Sequence, residues 1–145
     1  MADDPLYRRE LLRLAADATG AGHLSAPDAS GSAHNPACGD RVRVELALSG
    51  GQITALAHQT QACVLTQASA ALLAARAAGQ DRASLTRLAE SLRAMLAGGP
   101  PPAPGYAAFD GVADHPGRHV CVLLPVRAAL NALEGADPDP ARTEG

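Results

Sequence analysis

Tryptophan and lysine are missing from this 145-residue chain, and only Tyr7, Tyr106 and Phe109 are aromatic. Large rings therefore cannot fill the interior. The apolar residues, nearly half of the chain, are mostly Ala, Leu and Val, which implies a helix-rich core with closely spaced backbones. Positive charge is also scarce. All twelve basic residues are Arg, scattered rather than clustered, and the net charge is −3. That excludes a nucleic-acid or anionic-membrane partner held by a basic patch. No run approaches the ~18 apolar residues of a membrane span. The first residues, Met1-Ala2-Asp3-Asp4-Pro5, are too acidic for a secretory signal, so a cytoplasmic location is expected. Cysteine is limited to Cys38, Cys63 and Cys121. An odd number of distant cysteines argues against a disulfide framework and for metal or thiol chemistry.

The length suits one domain with a real core. We expect the domain over residues 1–134 and a disordered Asp/Pro-rich tail over 135–145. Asp4-Pro5 reads as the cap and first position of a helix reaching Ala18, with Leu11, Leu12, Leu14 and Ala15 on its apolar face. Residues 22–34, rich in Gly, Ser and Ala, read as a surface loop. Val42, Val44, Leu46 and Leu48 then alternate with Arg41, Arg43, Glu45 and Ala47, the period of a half-buried strand. Ser49-Gly50-Gly51-Gln52 is a hairpin turn into a second strand, 53 to about 59. Helical periodicity follows over 64–78 and 84–96. A Pro-rich linker covers 98–105, a short helix 106–112, and a last helix 118–134 that Pro125 should kink.

Chemistry gathers where the chain reverses. Asn35-Pro36-Ala37-Cys38-Gly39-Asp40 joins a turn signal to a thiol and a carboxylate. Cys63 follows the hairpin's second strand, so the hairpin returns it towards Cys38. It also opens a helix, where the dipole favours a thiolate. Cys121 stands near the start of the last helix. Three thiols and one carboxylate can make a four-coordinate zinc site, although no Cys-x-x-Cys pair is present. Structural cysteines more often sit inside elements, whereas these three lie at element ends. Histidines compete with Asp40 for the fourth position: His119 first, then His34 and His58. His23 and His115 read as solvated. Arg118 could hold a thiolate or persulfide by charge, or simply be a solvated arginine.

These residues resemble the iron–sulfur cluster assembly scaffolds of the IscU and NifU-like family, and within it the SufU type. Asn35 to Asp40 looks like that family's first cysteine motif. Ala62-Cys63 with Gln67-Ala68-Ser69-Ala70 looks like the second, and Pro116, Arg118, Cys121 and Leu124 like the third. Leu6-Tyr7-Arg8 and Gly111-Val112 also fit, so the likeness covers about residues 6–134. The Pro-rich stretch near 98–105 resembles the SufU insertion. Val120 stands where the IscU type has His before its third cysteine, and Ala62 replaces the usual glycine.

The resemblance implies an α+β fold, a small antiparallel three-stranded sheet with helices packed on one face. It implies Zn2+ held by Cys38, Asp40, Cys63 and Cys121, and Cys38 as acceptor of persulfide sulfur from a SufS-like cysteine desulfurase. The protein would then be a sulfurtransferase working with that enzyme and with downstream iron–sulfur assembly proteins. Two other roles use the same residues: a true scaffold carrying a transient [2Fe–2S] cluster, and a structural zinc module that binds partners.

Overall fold

The computed structural model describes residues 9–37 and 39–136. Its best-signalled part is the hairpin of β2 (Asp40–Ser49) and β3 (Gln52–Gln61). Gly50 and Gly51 form the turn with φ of +59° and +84°, values that suit glycine and match the twist of the flanking strands. Ser49 pairs with Gln52 and Arg41 with Gln61, with one irregularity at Ala47/Leu48. The alternation holds: Val42, Val44 and Leu46 are buried, while Arg41 and Arg43 are exposed. Glu45 departs from it, being buried on the opposite face.

The loop expected over residues 22–34 is only half a loop. Ala29–Asn35 forms β1, antiparallel to β2 and the third strand of a sheet ordered β1-β2-β3. Its sequence, Ala-Ser-Gly-Ser-Ala-His-Asn, has no β-branched or large apolar residue, so propensity conceals it. The cause is tertiary. A Cβ on Gly31 would lie 2.3 Å from Ala132 N and 2.6 Å from Ala128 O, both in the last helix. The strand is built of small residues because a helix backbone lies against it.

Among the described residues there are four α-helices, α1 (Arg9–Asp17), α2 (Val64–Arg76), α3 (Arg82–Leu96) and α4 (His119–Ala136); α2 and α4 pack on the sheet, with α1 against α2 and α3 against α4. They cover one face only, the α+β arrangement that the resemblance implies. The Asp4-Pro5 start lies outside the described residues. Asp81 caps α3 reciprocally: its carboxylate accepts from Ser84 N at 2.8 Å, and Ser84 Oγ accepts from Asp81 N at 2.8 Å. Between α3 and α4 the chain forms a 3₁₀ segment, Pro104–Asp114, which buries Tyr106, Phe109 and Val112. Thus the two large rings near the Pro-rich linker do enter the core.

Helix α4 runs two residues beyond the expected Glu134; residues 137–145 lie outside the described set. Pro125 sits inside α4. It has no N–H for the Cys121 carbonyl, and its ring disturbs the preceding turn. Ser69 Oγ, from α2, donates to Val122 O at 2.6 Å in that same turn. The proline-disturbed stretch is therefore tied to α2, the helix that Cys63 opens.

Candidate metal centre

Three elements meet at one end of the sheet. Asn35 closes β1 with an Asx turn, its side-chain oxygen accepting from Ala37 N at 3.1 Å and its carbonyl from Gly39 N at 2.8 Å. Gly39 has φ +77°, the left-handed value that returns the chain into β2. Asp40 opens β2 opposite Asn35. Strand parity places it on the side of Val42, so its carboxylate faces inward, 4% exposed.

Two residues after β3 ends, Cys63 caps α2 with extended φ/ψ of −68° and 170°. Cys121, the third residue of α4, is fully buried. One carboxylate oxygen of Asp40 and the sulfurs of Cys63 and Cys121 all lie within 4.8 Å of one another, the one such group of potential ligands among the described residues.

The first turn of α2 holds this group in place. Thr66 Oγ1 donates to Asp40 Oδ2 at 3.0 Å, and Cys63 N donates to Asp40 Oδ1 at 3.3 Å. Each carboxylate oxygen thus has a partner on α2. Thr66 Oγ1 also stands 3.6 Å from Cys63 Sγ and is fully buried. Burial pushes the Asp40 pKa up, but hydrogen bonds from Thr66, Cys121 and Cys63 outweigh it and hold the carboxyl below its ordinary value. The Cys121 thiol, and to a lesser degree Thr66, bring Cys63 down to about 6 against burial and the nearby Asp40 charge. Cys121 is pushed the other way: it donates to Cys63, is buried, and faces negative charge. The two directions make Cys63 the more acidic thiol of the pair, and it stands at the positive end of α2.

The donor set fits a transition metal. A carboxylate and two thiols that can lose their protons suit zinc or iron. Cys38, the expected fourth ligand, lies outside the described residues. Arg118 is half-buried in the 3₁₀ turn Pro116–Arg118, just before α4.

None of the rival histidines joins the group. His119 Nε2 bonds Ala113 O at 3.2 Å, and His34 is exposed on β1. His58 is buried, with Nε2 donating to Thr19 O at 2.9 Å and Nδ1 bonded to Thr60 Oγ1 at 2.8 Å. Burial lowers its pKa, so it is a neutral structural residue. Thr66 was not legible as a site residue. Its only signal is a hydroxyl three positions after Cys63, in the first turn of a helix.

The NifU-like N-terminal domain family matches residues 6–104. A solved structure of a NifU-like protein (N-terminal) from Brucella abortus is 30% identical, with TM-score 0.85, covering 94% of this chain and 97% of that one. A protein from Fervidobacterium islandicum, provisionally described as an iron–sulfur cluster assembly scaffold for the SUF system, has TM-score 0.80 at 20% identity. There the match covers 90% of this chain and 98% of that one, and at that identity it speaks for the fold alone. No curated protein matches.

Proposed function

Since this chain belongs to the NifU-like N-terminal domain family, we propose that it serves iron–sulfur cluster assembly as a SufU-type, zinc-holding shuttle for sulfur. The observation that supports this reading is the convergence of Asp40, Cys63 and Cys121 at one buried corner. Zinc would be held by these three and Cys38, keeping the thiols deprotonated and protected from oxidation. The partner is a cysteine desulfurase that carries a persulfide.

In the proposed transfer, the Cys38 thiolate attacks the outer sulfur of the donor persulfide. The new S–S bond forms on Cys38 as the donor S–S bond breaks, and the electron pair leaves on the donor cysteine as a thiolate. Cys63 and Cys121 are fixed in or at helix starts, whereas Cys38 lies in the sequence between β1 and β2. That placement makes Cys38 the acceptor in this reading. Arg118 would offset the charge of the exchanging sulfurs.

Labelled-sulfur transfer from a desulfurase, with mass mapping on single-cysteine variants, tests the assignment. Label on Cys38, and none accepted by Cys38→Ala, is the expected result. Label on Cys121 with normal uptake by Cys38→Ala would sink it. Metal analysis of the purified protein separates the rival role: a brown, iron-bearing form in place of zinc would make it a [2Fe–2S] scaffold. Two features favour the shuttle. Val120 precedes Cys121 in the sequence, and His119 is bonded to Ala113 O.

A further inference from the structure

The helices lie on one face of the sheet; on the other, the segment with His23 and Leu24 covers Glu45 and leaves the end where β2 starts open. On the open face the register aligns two rows of polar side chains across all three strands. One row is Ser32, Arg43 and Gln59; the other is His34, Arg41 and Gln61. All six line a single groove of about 420 Å³. Neither row contains a carboxylate. The first acid on this face, Glu45, sits one row further on, and its oxygens are bonded to Leu24 N and His23 Nδ1. It lies 3.7 Å from Arg43 Nη2, while Arg41 makes no ion pair among the described residues.

A pair of exposed arginines is ordinary. This pair is set in a concave patch whose lining holds no carboxylate, with Glu45 at its edge 3.7 Å from Arg43, on a chain of net charge −3. The patch also starts at the thiol corner. Arg41 directly follows Asp40, and Gln61 is two residues before Cys63. The Asp40–Cys63–Cys121 group lies at the end of the same strands but on the opposite, helix-covered face, so a partner seated here sits beside that corner rather than on it.

The geometry points to this face as the docking surface for an acidic, extended segment of a partner protein. Residues two apart on a strand are ~7 Å apart on one side, which is the spacing of Arg41 and Arg43. An extended segment with carboxylates at alternate positions has the same repeat, so each carboxylate meets one guanidinium. The Gln, Ser and His side chains of the two rows supply donors and acceptors for its flanking polar groups. Such contacts orient a partner and speed its encounter more than they add affinity. The inference goes beyond the sulfur-shuttle reading and does not depend on which metal is bound.

The test is amide chemical-shift mapping on the full chain, titrated with an octapeptide of alternating Thr and Glu. Shifts confined to the strands around residues 32–34, 41–43 and 59–61 are expected. Affinity should weaken about tenfold or more with the Gln-for-Glu peptide, and by a similar factor in the double variant Arg41→Gln/Arg43→Gln. Arg41→Gln alone, at an exposed side chain without an ion pair among the described residues, checks that the loss is not one of folding. Equal binding of the Gln peptide, shifts elsewhere, or no binding would overturn the proposal. So would identical shifts produced by inorganic phosphate or citrate with none from the peptide, which would mark a small-anion site instead.

Discussion

Strand β2 carries two buried carboxylates on opposite faces, Asp40 at 4% and Glu45 at 5% exposure, and both are held below the ordinary carboxylate range. Glu45 is set mainly by the Leu24 amide and His23, which together tie the 22–28 segment to the sheet. Asp40 is set by Thr66 and two thiols, against a real burial penalty. The difference shows that burial and a lowered pKa do not by themselves mark a site. Glu45 is bonded to groups that fix a loop. Asp40 stands among sulfurs that are themselves potential ligands.

If that contrast is right, removing metal should have the largest effect. Chelation should lower the melting temperature by on the order of 10 °C, while circular dichroism still reports a largely helical apo form. An unchanged melting temperature would count against a native zinc site. Asp40→Ala should come next, weakening zinc by ~100-fold with the fold intact, whereas Glu45→Ala should leave zinc affinity alone and lower the melting temperature instead. Competition with a chromophoric chelator measures both, and equal zinc losses would erase the contrast.

A smaller effect sharpens it. Thr66→Val keeps the shape but removes the hydroxyl that holds Asp40 Oδ2, so zinc affinity should fall about tenfold, with Thr66→Ser restoring it. An altered visible spectrum of the cobalt-substituted Val variant would show that a ligand has moved. Unchanged affinity and spectrum would leave Thr66 a packing residue. The smallest effect concerns acid. A carboxylate with a depressed folded pKa contributes fully above its ordinary value, 4.5 for Glu45, and loses that contribution as pH falls through the folded value. The stability gap between wild type and Glu45→Gln should therefore shrink between about pH 6 and pH 3. A gap that stays constant would mean that Glu45 acts without its charge.

Local rules reached a good part of this molecule. Alternation at 42–48 and the Gly50-Gly51 turn located the hairpin, because a one-residue slip would turn every side chain to the other face. The 3.6-residue repeats located α2 and α3. The placing of Asp40, Cys63 and Cys121 at element ends was also legible, since those ends follow from turn residues and helix starts. Their convergence followed for Cys63, which the hairpin carries back to Asp40. For Cys121 it required α4 to pack beside α2, a contact written in small residues and in the Ser69–Val122 bond.

The hairpin, the helix faces and the residues with chemistry to offer can all be read from the order of amino acids. That Ala29–Asn35 is a strand, that Glu45 is buried and that Thr66 braces Asp40 emerges from the folded arrangement alone. Each of these depends on a neighbour distant in sequence: the α4 backbone over Gly31, the loop amide of Leu24, the first turn of a helix beside the start of β2. Propensity and periodicity act over a few residues and report what an element can be, whereas close packing and the demand that buried polar groups find partners are met only when distant segments come together.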